Sequence, residues 1–241
     1  MNYPKRFFEI NLQFAHKVAE ILDQPIEETL LHYTNFYIRF GLGRDFASTH
    51  PVWQEFLVGL SQVEDTAEWT HRFYLKQQCQ VADKFQESPF GCFSYTIMQG
   101  NKIRLHFHNN ESSGYSPLGK NRMSQRLAEL TRMFRSIQQE VRRGRGTNII
   151  GASWLYNLES YRRLFPPAYL VTAQVGSNDF PYLPLWGQFI DQWGRVKENL
   201  VAQFLERLHN QQGIEGIERC FPYQVLHLES SVEEFYPFYG L

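Results

Sequence analysis

Apolar residues recur along this chain in two rhythms, and the change between them falls near residue 88. Before it the spacing is three and four. Phe7, Ile10, Phe14, Val18 and Leu22 predict a helix over 7–22, and Leu30, Leu31, Tyr33, Phe36, Tyr37 and Phe40 predict a second over 26–40. Pro25 suits the first turn of that second helix, and Gly41 and Gly43 stop it. A third helix is expected from His50-Pro51 to Leu60, and a fourth from an Asp65 or Thr66 cap to about Phe85.

Beyond Ser88-Pro89 the pattern turns to short β-favouring runs. Phe90 to Met98, a Gln99-Gly100-Asn101 turn and Lys102 to His108 predict a hairpin. From Arg122 a long amphipathic helix follows, with Met123, Leu127, Leu130, Phe134, Ile137 and Val141 on one side and several arginines, Arg126 among them, on the other. Strands are then expected at 148–156, 168–175 and 223–228, a short helix at 157–165 and a longer one at 186–208. The fold class is therefore α/β (α+β): a mixed sheet with flanking helices, plus an all-helical N-terminal subdomain. The division expected is residues 1–86 for the helical subdomain and 87–241 for the α/β domain.

Composition narrows the function classes. The 241 residues carry a net charge of -1, so no global basic field points to nucleic acid. The arginine-bearing helix face is interrupted by Glu129 and Glu140 and reads as a solvated surface. No apolar run has the length of a membrane span and the N-terminus has no apolar leader, so a cytoplasmic, soluble chain is expected. Cys79, Cys92 and Cys220 have no paired spacing, which fits a reducing compartment. Aromatic residues reach 16% and predict a ring-rich core.

The candidate chemistry gathers between Gly100 and Phe134. His106 and His108 alternate on one strand and so project to one face, with Glu111 close behind them. Either imidazole is suited to general-base work near neutral pH. The loop that follows contains Gly119 and opens a helix beside Lys120 and Arg122, a setting for phosphate or pyrophosphate. Later, Asn157 closes a strand and Tyr161 lies in the next short helix.

Over residues 90–175 this order of elements resembles the second half of the Gcn5-related N-acetyltransferases: a hairpin, a glycine-containing loop, a long helix, a strand ending in Asn, and a short helix with Tyr. The glycine pattern departs from that family, since Tyr115 to Asn121 offers only Gly119. The resemblance implies an acyl-CoA-dependent acyltransferase using acetyl-CoA or another acyl-CoA and acting on a small-molecule amine or hydroxyl acceptor. It implies that Ser116, Gly119, Lys120, Asn121 and Arg122 hold the cofactor phosphates. Asn157 would contact the pantetheine arm, and Tyr161 would protonate the leaving thiolate. His106 or His108 would then be the base. Two other classes stay open. One is a hydrolase or metal-assisted enzyme built on His106, His108 and Glu111. The other is a non-catalytic protein whose aromatic, acidic tail (Phe235 to Tyr239) docks a partner or a second copy, making a homodimer.

Overall fold

The computed structural model describes residues 2–79, 88–111, 114–176 and 183–241. In chain order its main elements begin with α1 (Lys5–Leu22), α2 (Ile26–Tyr33), α3 (Phe36–Arg39), α4 (Pro51–Leu60) and α5 (Thr66–Gln78). Next come β1 (Phe93–Met98), β2 (Lys102–Phe107), α6 (Met123–Arg142), β3 (Asn148–Ser153), α7 (Glu159–Arg162) and α8 (Pro167–Leu170). The rest are β4 (Gln174–Val175), α9 (Leu183–Trp186), α10 (Glu198–His209), β5 (Leu226–Ser231) and α11 (Phe235–Tyr239). Contacts group residues 1–84 with 178–223 in one unit and 85–177 with 224–241 in a second.

In the first unit, α1 buries Phe7, Phe8, Ile10, Phe14 and Val18 along one side and packs against α2 and α5. The helix expected over 26–40 is broken at Thr34. There the backbone is extended, and the Thr34 hydroxyl donates to the Leu30 carbonyl (2.6 Å) and accepts from the Phe36 amide (3.3 Å). The side chain has replaced the helical backbone bonds at that point. The helix expected to reach about residue 85 is α5; residues 80–87 lie outside the described residues.

Phe14 also explains why 178–223 groups with these helices and not with the sheet, as a division at 86/87 would have it. Its ring meets Trp186, Phe204 and Phe221 at 5.4–5.7 Å between centroids. Four large rings from segments far apart in sequence bury each other, a pairing that local periodicity does not encode.

The second unit is the α/β body. Its five-stranded mixed sheet has the order β1-β2-β3-β5-β4. β1 and β2 form the expected hairpin, in register from Phe93↔Phe107 to Met98↔Lys102. β2 and β3 are parallel and so need a crossover, which α6 supplies. β5 enters between β3 and β4, antiparallel to both. Inward residues Phe93, Ile103, Leu105 and Ile149 meet Leu130, Met133, Phe134 and Ile137 of α6. The alternate residues Lys102, Arg104 and His106 therefore face away from that helix.

Several sequence expectations change here. The strand expected at 148–156 ends at Ser153 and gives way to a 3-10 turn over Trp154–Asn157, and the one expected at 223–228 is Leu226–Ser231. Most of the strand expected at 168–175 is the helical turn α8, begun by Pro167 at its first position; only Gln174 and Val175 pair as a strand. The tail rings expected to dock a partner fold inward instead. Phe235 and Tyr239 stack on Phe134 at 4.7 and 4.8 Å, and only Phe238 of that helix's rings stays exposed. Burial against α6 removes more apolar area from water than a projecting tail would.

Candidate functional site

The strands that carry the site do not stay together. β2 and β3 pair at Lys102↔Asn148, Ile103↔Ile149 and Arg104↔Ile150 and no further. Past that point, among the described residues, β2 remains paired only to β1, and β3 only to β5. Bulk on the helix side accounts for the parting. The Phe107 ring of β2 packs on Tyr161, and Tyr161 packs on Tyr156. The Tyr156 and Tyr169 hydroxyls, 3.0 Å apart, lie against Gly151 of β3. A methyl group at Gly151 would come within about 2.3 Å of both oxygens, so only glycine admits them.

On the face away from α6, a cavity of about 470 Å³ opens where the strands part. Its walls come from four strands and the turn before β4, and include Lys102, Arg104, Ala152, Thr172, His227 and Glu229. The volume is in the range of small-molecule sites. Lys102 Nζ lies 2.7 Å from Glu229 Oε2, and the Asn148 amide donates to Oε1 at 2.8 Å. The bond from Lys102, then that from Asn148, holds the Glu229 carboxyl below its ordinary range. The Arg104 guanidinium, half-buried, has no ionic or hydrogen-bonding side-chain partner among the described residues. The His227 ring rests against Gly176, whose backbone leaves no space there for a Cβ.

His106 and His108 do share the outward face, with ring centroids 6.4 Å apart. Their Nε2 atoms lie 3.0 Å from Thr96 Oγ1 and 2.8 Å from Ser94 Oγ, across the hairpin. Desolvation pulls the His108 pKa below its ordinary value. Its NMR titration midpoint is expected below that of free histidine, about 6.5. Because folding lowers this pKa, the stability linked to it is complete above the free value. It is lost as pH falls through the folded midpoint. A midpoint at the free value would show the ring fully solvated, and one above it would show a partner that stabilises the imidazolium.

Glu111 has a different environment. Its carboxylate, with the side chain 8% exposed, lies 3.1 Å from Arg126 Nη2 and 3.3 Å from Arg122 Nε. Arg126 in turn lies 3.1 Å from Glu129 Oε2. Among the described residues no group of three His, Cys, Asp or Glu side chains could hold a metal ion, so His106, His108 and Glu111 are not gathered as a metal-ligand set. Sequence reading takes Arg126 for a solvated residue, but it is buried between two carboxylates.

The loop before α6 turns two of its amides inward. The Gly119 amide donates to the Ser116 carbonyl at 3.0 Å, and the Arg122 amide to the Gly119 carbonyl at 2.9 Å. The side chains of Lys120 and Asn121 are exposed, while Arg122 stacks over Tyr115 and meets Glu111. The charged groups expected for phosphates are thus present, but those two N–H groups are committed within the loop.

Asn157 donates from Nδ2 to the carbonyls of Trp154 and Gln224, both at 2.8 Å, and so ties the end of β3 to the approach to β5. Tyr161 is 3% exposed, and its ring packs edge-on against Tyr156 at 5.0 Å between centroids. Burial pushes the pKa of both phenols well above the ordinary tyrosine value.

The ten candidates therefore fall into separate places: the histidines on the outward face, Tyr161 beneath the parted strands, Glu111 with Arg122 in a buried ionic cluster, Ser116, Gly119, Lys120 and Asn121 in the loop before α6, and Asn157 in the turn after β3. Sequence reading gave no role to Lys102, Arg104, His227 or Glu229, which the cavity brings together. The outward parity of Lys102 and Arg104 beside the histidines was the available signal. Comparison with family models, with curated proteins and with solved structures finds no match to this chain.

Proposed function

We propose that the α/β unit is an acyl-CoA-dependent acyltransferase acting on a small acceptor. In this reading the thioester arm enters where β2 and β3 part, and the acceptor lies in the cavity on the outward face. The observation that carries the reading is the parting itself. Two parallel strands held together at Arg104↔Ile150 separate beside a cavity of about 470 Å³. Beyond that pair, neither strand satisfies the other's facing backbone groups. An extended ligand with amides, such as a pantetheine arm, can bond to such edges as a strand would.

The roles follow from position. His227 lines the cavity and serves as the base, the part that sequence reading gave to His106 or His108. Tyr161 is the proton donor, because burial keeps its phenol protonated. The acceptor nitrogen bonds to the acyl carbon as the carbon–sulfur bond breaks. His227 takes the nitrogen's proton and Tyr161 gives one to the departing sulfur. Holding acceptor and thioester in line would provide much of the acceleration. Lys120 is the exposed cation closest in sequence to the start of α6 and is available to the cofactor phosphates. Asn157 acts by holding the end of β3 in place and not by touching the arm, since its Nδ2 bonds to two backbone carbonyls.

Thermal unfolding with acetyl-CoA and with free CoA tests this. At 100 times Kd, a native-state ligand adds about 2.7 kcal/mol, which for a chain of this size raises Tm by roughly 5–10 °C. Ala152→Phe, which fills the cavity from a half-buried position, should abolish the shift while leaving the unliganded Tm close to wild type. No shift in the wild type, or an unchanged shift in Ala152→Phe, would sink the reading.

A further inference from the structure

We infer that the small molecule held in the cavity carries a carboxylate that pairs with Arg104. The inference takes its acceptor role from the acyl-transfer reading, but the binding site stands on its own geometry.

Charge within the cavity is unevenly compensated. The Lys102 ammonium is matched by Glu229 at 2.7 Å, and Asn148 completes that pair. Glu229 is thereby occupied. Arg104, two residues along the same strand face, has no such match among the described residues. Its direct cross-strand neighbours are Thr96 on one side and Ile150 on the other, neither of which can balance a cation. A guanidinium cannot shed its charge at any physiological pH. Half-buried and without a counter-ion, it pays part of the desolvation penalty with no Coulombic return. Local inconsistencies of this kind concentrate where a ligand removes them.

The chemistry of the group selects the ligand. A guanidinium offers a planar fork of donors that matches a carboxylate in a bidentate pair, which a point-charge ammonium does not. Position then gives the ligand's length. Arg104 is on β2 and His227 on β5, with β3 between them. Neighbouring strands lie about 4.8 Å apart, so the two backbones are roughly 10 Å apart across the cavity floor of Ile150 and Ala152. Side chains take up part of that span. What remains suits a molecule of amino-acid size, its carboxylate on Arg104 and its amine or hydroxyl toward His227. Thr172 and Gln174, which also line the cavity, add polar groups on the far side.

Calorimetric titration of the full chain separates the possibilities. The probes are free α-amino acids, their methyl esters, the matching amines without a carboxylate, inorganic phosphate and, in a separate arm, CoA. We expect one or more acids to bind and the matching esters and amines to fail. We expect Arg104→Gln to weaken acid binding about tenfold or more, with Arg104→Lys recovering part of the loss. CoA affinity should be unchanged in Arg104→Gln, whose Tm serves as the control for folding. Equal binding of acids and esters would overturn the inference, as would an unaffected Arg104→Gln or binding of phosphate with no acid. Acid binding without CoA binding would support the Arg104 site and sink the acyl-transfer reading instead. CoA binding with no acid bound would do the reverse.

Discussion

A chain ending at Ser231 will lose cooperative folding of its α/β unit. In sequence, residues 232–241 follow the last strand as an aromatic, acidic tail suited to docking a partner. In the structure they complete the core. Val232, Phe235, Tyr236 and Tyr239 are all buried. Phe235 lies nearly parallel to Phe134, at 4.7 Å and 13°, and its other side meets Tyr169 at 5.0 Å. The Tyr239 hydroxyl donates to the Leu164 carbonyl at 2.8 Å, joining the tail to the segment after α7. Truncating one such ring, Phe235→Ala, should cost about 3–5 kcal/mol. Whole domains are stable by only about 5–15 kcal/mol, so loss of all four buried side chains exceeds what the unit can absorb. Urea unfolding followed by circular dichroism is the measurement, with Phe238→Ala as a control that should change little because Phe238 is exposed. A truncated chain with the wild-type midpoint and slope would show the tail to be an accessory that docks elsewhere.

The same tail marks where sequence stops being informative. Helix α6 was legible because its stripe of Leu130, Phe134 and Ile137 is local, set by the 3.6-residue period alone. The β1–β2 hairpin was legible for a similar reason: its turn and both strands lie within 15 residues of each other. What covers α6 was not legible, because Phe235 and Phe134 are about a hundred positions apart and nothing in either neighbourhood names the other. The cavity failed in the same way. Lys102 and Glu229 face each other only because β5 enters the sheet beside β3, and strand order is a global property. The histidine pair was read correctly as sharing one face, since alternation is local. Its supposed carboxylate was not, because a residue beyond the end of a strand is free of the strand's parity. Glu111 turned instead to Arg122 and Arg126. Asn157 illustrates a further limit. Its strand was legible, but β3 ends at Ser153 and Asn157 lies in the 3-10 turn that follows, and whether its amide met a ligand or the Gln224 carbonyl depended on a segment 67 residues away.

Arg126→Ala is expected to destabilise the α/β unit by about 3–5 kcal/mol, the range for removing one partner from a buried ionic group. The side chains involved are nearly sealed from water: 2% exposed for Arg126, 8% for Glu111 and 5% for Glu129. Their surroundings are built around them. The Cys92 amide donates to Glu129 Oε2 at 3.1 Å, and the Cys92 thiol lies against Arg126 Nη1. Gly91, with φ at +67°, brings the backbone so close to the Glu129 carboxylate that a Cβ would overlap it. Removing the guanidinium takes from both buried carboxylates the cation held between them, while Arg122 stays beside Glu111. The desolvation cost they already bear is then no longer returned. The loss therefore belongs to the stranded carboxylates more than to any intrinsic strength of the pair. That makes the effect separable. Adding Glu111→Gln and Glu129→Gln to Arg126→Ala removes the stranded charges and should recover at least half of the lost stability, although three ionic groups are then gone. Chemical denaturation of the single and triple variants decides the matter. A single variant within about 1 kcal/mol of wild type would place the cluster in effectively solvated surroundings, where exposed ion pairs contribute that little. A triple variant worse than the single would mean that the glutamates stabilise this corner through their neutral contacts, and that Arg126 is secondary to them.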